Sequence, residues 1–127
     1  MATWAGQVDA LTMFAEDLDA VRDFAERVLE LPVHFEEDHS VVYRLGGLLL
    51  NYLDVREADD LIAPASVGDS TAGVRVQLTV GVSDVHAVAQ RIQDAGWPLL
   101  RGPEVRPWGM TTATFRDPAG HVWEIAC

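Results

Sequence analysis

Hydrophobic and polar positions follow the same order twice along the chain. Apolar stretches that begin at Leu11 and Leu78 each have the character of a β-strand. Asp17 and Asp84 follow them, where an aspartate side chain can accept hydrogen bonds from the free N–H groups at the start of a helix. Next come two amphipathic stretches with one apolar stripe each, formed by Leu18, Val21, Ala25, Val28 and Leu29 in the first and by Val85, Val88, Ala89, Ile92 and Ala95 in the second. The pattern predicts a strand followed by a helix in each half of the chain.

Three shorter strand signals follow each predicted helix. They are VHFEED, SVVYRL and LLLNYL in the first half, and PLLRG, MTTATFR and HVWEIA in the second. Gly46 and Gly47 supply a turn in the first half, and the segment DPAG at 117–120 supplies one in the second. Each half therefore predicts the element order βαβββ.

The two halves form an internal repeat with an offset of 67 residues. We predict one domain over residues 1–127, with module one at about 7–53 and module two at about 74–127. A polar linker at about 54–73 joins them, with one helical turn near 58–62. Two such modules side by side predict an α+β fold in which a curved eight-stranded mixed sheet surrounds a concave cleft. A cleft of this kind is the usual form of a ligand site.

Composition and charge narrow the classes of partner. The 127 residues carry a formal net charge of -11, and every basic residue is an arginine. This acidic balance argues against nucleic acid as a partner and favours a cationic ligand, although solubility alone also explains it. The single cysteine, Cys127, excludes a disulfide framework. We see no signal peptide and no run of about 20 apolar residues, so we expect a cytoplasmic protein without membrane contact.

The paired βαβββ pattern and the ending PWGMTTATFRDPAGHVWEIA together resemble the vicinal oxygen chelate superfamily. That superfamily includes glyoxalase I, extradiol dioxygenases, fosfomycin-resistance enzymes and bleomycin-resistance proteins. The segment PWGM at 107–110 is similar to one found in bleomycin-resistance-like members. The resemblance implies a homodimer, and in some relatives the cleft forms between halves of different chains. Because this fold carries many chemistries, the resemblance does not by itself select one activity.

The resemblance also indicates which positions would hold a metal. In metal-using relatives the first and last strands of each half give one ligand apiece, and those positions here are Ala10, Asn51, Gln77 and Glu124. Alanine cannot ligate, and neutral amides are weak ligands beside imidazole, thiolate or carboxylate. The four histidines lie elsewhere in the pattern, at His34, His39, His86 and His121. We therefore expect no metal cofactor and interpret Glu124 as a hydrogen-bond acceptor or a partner for a cationic group.

Strand alternation predicts which side chains face the cleft. Glu124 shares a face with Val122 and Ala126, whereas Trp123 and Ile125 point toward the helices. Trp108 lies in a loop framed by proline and glycine, where its indole is suited to stacking on a planar ligand. The predicted ligand-binding residues are Phe14, Asn51, Gln77, Arg106, Trp108, Met110 and Glu124.

Three functional hypotheses follow. We favour a metal-independent protein that binds a small antibiotic-type molecule, cationic or aromatic, in the cleft. The first alternative is an enzyme of lyase, isomerase or dioxygenase type that uses Glu124 as a metal ligand or general base. The second alternative is a regulatory or interaction module whose cleft is vestigial.

Overall fold

A computed structural model describes residues 3–127 of the chain. Met1 and Ala2 lie outside the described residues. They begin the N-terminal segment in which we expect no signal peptide. The strands are β1 Ala10–Ala15, β2 Phe35–Glu37, β3 Ser40–Leu45, β4 Leu48–Asp54, β5 Gln77–Gly81, β6 Arg101–Val105, β7 Thr111–Arg116 and β8 Val122–Ala126. The α-helices are α1 Leu18–Phe24, which continues as a π-helix over Ala25–Leu29, then α2 Asp59–Ile62 and α3 Val85–Asp94, and two short 3-10 helices lie at Val55–Glu57 and Ser70–Ala72. None of the helices in residues 3–127 has the length and apolar character needed to cross a membrane.

Both long helices begin at the predicted aspartates. The Asp17 side chain accepts a hydrogen bond from the Ala20 N–H at 3.1 Å. Asp84 accepts one from the Ala87 N–H at 3.0 Å, the same contact in the second module. Each cap satisfies a backbone donor that has no partner within the helix. The two N-caps predicted from the sequence are therefore confirmed.

The strands pair in the same order in both modules. The first sheet runs β1-β4-β3-β2 and the second runs β5-β8-β7-β6. In each sheet the first and last strands of the module are parallel neighbours, and the other pairs are antiparallel. This arrangement confirms the mixed α+β architecture. Backbone hydrogen bonds divide the eight strands into two four-stranded sheets, which are not closed into a barrel.

One hydrophobic core extends through both modules. Phe24 of α1 lies with its ring centroid 5.0 Å from that of Trp97 and 6.1 Å from that of Phe115, and both of these residues belong to module two. Arg27, one turn further along, donates a hydrogen bond to the Ala95 carbonyl at 2.7 Å. The helix of module one thus packs on module two, and burial of these rings stabilises the two modules as a unit.

Candidate functional site on the second sheet

Strand β8 has a buried face and a face that carries the one carboxylate of the strand. Trp123 and Ile125 are buried in the core. Glu124, between them in sequence, is half-buried and accepts a 2.9 Å hydrogen bond from the Thr79 hydroxyl of the neighbouring strand β5. The alternation of side chains along a strand explains this placement. The predicted facing of Glu124, Trp123 and Ile125 is therefore confirmed.

Glu124 lines a cavity of about 480 Å³ on the second sheet. Every residue that lines this cavity belongs to module two: Gln77, Arg101, Glu104, Arg106, Trp108, Thr112, Thr114, Val122 and Glu124. Four of the predicted ligand-binding residues are brought together here, namely Gln77, Arg106, Trp108 and Glu124. The cavity combines hydroxyl, amide, carboxylate and guanidinium groups with one large aromatic surface.

The charges of the cavity are unevenly compensated. Arg106 donates a 2.6 Å hydrogen bond to the Glu104 carboxylate, and Arg101 forms a second ion pair with the same carboxylate. Glu124 has only the Thr79 hydroxyl as its side-chain partner among the described residues. Glu104 is therefore paired with two guanidinium groups, whereas Glu124 has no direct cationic partner within residues 3–127.

A short loop fixes Trp108 beside the guanidinium group of Arg106. The guanidinium carbon of Arg106 lies 4.9 Å from the centroid of the indole, within the range of a cation–π contact. Arg106 also donates its backbone N–H to the Met110 carbonyl at 2.7 Å and accepts from the Gly109 N–H at 2.8 Å. These bonds close the loop over residues 106–110. The indole nevertheless remains 62% exposed, so most of its surface is free to contact a ligand.

Four lining residues were not predicted: Arg101, Glu104, Thr112 and Thr114. The segment PLLRG was expected to form the strand, but β6 begins only at Arg101. Pro98 has no N–H to donate to a neighbouring strand. A register shift then pairs Arg101 with Thr114 and Glu104 with Thr112. Residues three apart in a regular strand lie on opposite faces, and the shift brings Arg101 and Glu104 to one face.

Gly102 makes this irregularity possible. Its φ angle is 88°, in the left-handed region that favours glycine. A Cβ atom at this position would lie 2.4 Å from the Thr112 carbonyl oxygen, which is too close for any other residue without a shift of β7. The glycine was the one sequence signal for the bulge, since an isolated glycine in a strand often marks a close approach of two backbones.

The remaining predicted site residues lie elsewhere. Asn51 donates a 3.4 Å hydrogen bond to the Thr12 hydroxyl in the first sheet, and its buried Oδ1 has no partner within the described residues. Phe14 lines a separate cavity of about 210 Å³, and Ala10 and Met110 are exposed. None of Ala10, Phe14, Asn51 and Met110 lines the cavity that contains Glu124.

The residues present do not fit a metal site of the kind that the resemblance implies. Of the four positions that the resemblance indicates, only Glu124 offers a good ligand, and its Oε1 already accepts a hydrogen bond from the Thr79 hydroxyl. No group of three or more histidine, cysteine, aspartate or glutamate side chains in residues 3–127 is arranged to hold a metal ion. His34, His39 and His86 are exposed, and His121 is buried with Nε2 at 3.1 Å from the Phe14 carbonyl. No chemical step is therefore assigned to a metal in this cavity.

The sequence matches a protein family, and the fold matches solved structures. Residues 7–125 match the family model described as the Glyoxalase/Bleomycin resistance protein/Dioxygenase superfamily. No curated protein matches the chain in sequence.

Several solved structures have the same fold. A glyoxalase/bleomycin resistance protein/dioxygenase from Nocardioides superposes with a TM-score of 0.87 at 18% identity, over 98% of this chain and 85% of that chain. A glyoxalase-related enzyme from Fulvimarina pelagi gives 0.81 at 26% identity, over 95% and 87%. A lactoylglutathione lyase from Agrobacterium tumefaciens gives 0.78 at 22% identity, over 95% and 92%. These similarities concern the fold and leave the activity open.

Proposed function

The chain belongs to the Glyoxalase/Bleomycin resistance protein/Dioxygenase superfamily, and from that premise we propose that it is a metal-independent small-molecule binding protein. The ligand site is the cavity on the second sheet. The observation that carries the proposal is that Glu124 and Trp108 line the same cavity. The first offers a negative charge that has no direct cationic partner among the described residues, and the second offers an exposed aromatic surface.

The ligand class follows from these two groups. Glu124 favours a positively charged or hydrogen-bond-donating group, because a carboxylate that leaves water gains from a cationic partner. Trp108 favours a planar ring, because an indole stacks on flat surfaces and attracts cations to its face. We therefore propose a planar cation, such as an antibiotic-type molecule with a charged heteroaromatic ring.

Arg106 supports this function through its position. Its guanidinium is held at the same time by Glu104 at 2.6 Å and over the Trp108 ring at 4.9 Å. A side chain that is already fixed loses little conformational freedom when a ligand binds. Arg106 is thus a positioning residue for the indole.

We also propose that the functional unit is a homodimer. Among residues 3–127 the cavity is lined by module two alone, whereas Phe14 and Asn51, predicted for the same cleft, lie in the first sheet away from it. A second copy of the chain can bring its first sheet against this cavity and complete it. Sedimentation or light scattering tests this part of the proposal, and a monomer at micromolar concentration would contradict it.

An enzymatic role is the alternative, and one observation favours it. The Thr79 hydroxyl holds the Glu124 carboxylate at 2.9 Å inside the cavity, as a positioned general base requires. The reaction would then be of the lyase, isomerase or dioxygenase type. Turnover of a substrate that stops in Glu124→Gln would favour this alternative over simple binding.

The proposal is tested with a matched pair of probes, N-methylquinolinium and 1-methylnaphthalene. The two have nearly the same size and shape, but only the first is charged. Calorimetric titration is carried out on the full chain after treatment with a chelator. We expect the cation to bind more tightly and the affinity to be unchanged when zinc, manganese, nickel or ferrous ion is supplied. Binding that appears only with added metal, or equal binding of both probes, would contradict the proposal.

A further inference from the structure

A second cavity lies on the opposite side of the second sheet from the proposed ligand site. Its volume is about 210 Å³. Trp123 and Ile125 of β8 contribute to its wall, while Glu124 between them lines the first cavity. The same strand therefore separates two cavities of different chemistry.

The interior of this second cavity is apolar. Its wall is formed by aliphatic and aromatic side chains from both modules, among them Val28, Val80, Val88, Ile92, Phe115 and Trp123. The indole N–H of Trp123 is the one polar side-chain group among these, and it already donates to Asp117 at 3.2 Å. Glu30 and Arg91 also line the cavity, at its mouth, and are paired with each other. Deeper inside, the described residues offer a ligand no free side-chain donor or acceptor, which disfavours a charged or strongly polar group there.

The mouth of the cavity is formed by the end of the first helix. The π-helix Ala25–Leu29 ends at Glu30, whose φ angle of 57° is unusual for a residue other than glycine. The Glu30 carboxylate forms an ion pair with Arg91 of α3. Both side chains are more than half exposed, and an exposed ion pair of this kind contributes little stability. The pair therefore opposes entry of a ligand only weakly.

From this geometry we propose that the second cavity binds an uncharged, apolar small molecule about the size of a substituted benzene. Enclosed cavities of about 150 Å³ with aliphatic and aromatic walls bind benzene in other proteins, and the second cavity has such a wall although it is open at its mouth. A volume of about 210 Å³ leaves room for one or two added methyl groups. Val80 and Val88 are half-buried, so they expose part of the apolar wall at the opening. π-helical segments also occur often at functional sites.

The test uses p-xylene as the probe and NMR of the methyl groups as the readout. We expect saturable shifts in the methyl resonances of Val80, Val88, Ile92 and Ile125, together with intermolecular NOEs from the probe to the same methyl groups. Shifts spread evenly over the chain, or NOEs to Trp108 in the first cavity, would overturn the proposal. Absence of any saturable shift up to the solubility of the probe would also overturn it.

A pair of variants gives the control. Val80→Phe fills the second cavity, and we expect it to weaken p-xylene binding by about tenfold or more. Val42→Phe makes the same change at a half-buried valine of β3 in the other sheet and should leave binding unchanged. Equal affinity in the two variants would contradict the proposed site. If Val80→Phe fails to fold, the NOEs of the unmodified chain decide. Failure here leaves the proposed function of the first cavity untouched, because the two cavities lie on opposite faces of the sheet.

Discussion

The Tyr52 hydroxyl donates a 2.7 Å hydrogen bond to the Asp117 carboxylate, which ties β4 of module one to the turn before β8 of module two. Both residues are buried. Asp117 also accepts from the backbone N–H groups of Ala119 and His121 and from the Trp123 indole. One carboxylate thus orders the last turn of the chain and at the same time holds the two modules together.

We predict that Tyr52→Phe lowers the free energy of unfolding by about 1–3 kcal/mol, the usual cost of leaving a buried polar group with one partner fewer. The Asp117 carboxylate would stay buried but lose its one hydroxyl donor. Urea unfolding followed by tryptophan fluorescence measures the change. The slope of the unfolding curve should stay the same, since the surface exposed on unfolding is unchanged.

Tyr43→Phe is the matched control for this prediction. Tyr43 is only 1% exposed, and its hydroxyl has no hydrogen-bond partner among the described residues. Removing an unpaired buried hydroxyl should leave stability unchanged or raise it. If Tyr43→Phe and Tyr52→Phe destabilised the chain equally, the Asp117 bond would not be the cause.

Features that depend on neighbouring residues could be predicted from the sequence. The caps at Asp17 and Asp84 and the opposite facing of Glu124 and Trp123 follow from local periodicity. Features that depend on packing between modules could not. Tyr52 and Asp117 are 65 residues apart, and no local pattern indicates that they meet.

The cavity was predicted only in part, because one of its strands is irregular. Gln77 and Glu124 could be assigned to one face because side chains alternate along a regular strand, and Trp108 could be assigned to the cleft from its loop, which is framed by proline and glycine. Arg101 and Glu104 share that face only through a register shift, which breaks the alternation on which the prediction relied.

The carboxylate of Asp54 makes the stability of the fold depend on pH in the acidic range. Its carboxylate accepts hydrogen bonds from the Arg56 side chain at 2.6 and 3.0 Å and from the Arg56 backbone N–H at 2.9 Å. The side-chain bond is the main reason that the pKa of Asp54 falls from 3.8 to about 2. A lowered pKa in the folded state means that the pair stabilises the fold above pH 3.8 and that this contribution is lost as the pH falls toward about 2.

Arg56→Gln tests this relationship. We predict that the pKa of Asp54 moves back toward its ordinary value, because the charged hydrogen-bond donor is gone. NMR titration of the Asp54 carboxyl carbon measures the pKa, and urea unfolding at a series of acidic pH values measures stability. The variant should lose less stability on acidification than the unmodified chain. An unchanged Asp54 pKa would show that the guanidinium has no part in the shift.

Glu124→Gln tests the charge of the proposed ligand. The substitution keeps the shape of the side chain and removes its charge, so we predict that N-methylquinolinium binds about tenfold more weakly while 1-methylnaphthalene is unaffected. Glu26→Gln removes one negative charge from the exposed surface of the first helix and serves as the control. Equal losses of affinity in the two variants would mean that the cation is attracted by the net charge of the chain and not by Glu124 in the cavity.

Trp108→Ala tests the aromatic surface of the cavity. Loss of the indole removes the ring on which a planar ligand stacks, so we predict about tenfold weaker binding of N-methylquinolinium and of its neutral analogue 1-methylnaphthalene. Trp108→Ala should weaken the binding of both probes, whereas Glu124→Gln should weaken the binding of the charged probe alone. Trp4→Ala is the matched control, because Trp4 is also an exposed tryptophan (98%) but does not line the cavity. Trp4→Ala should leave both affinities unchanged, and unchanged affinities in Trp108→Ala would contradict the proposed role of the indole.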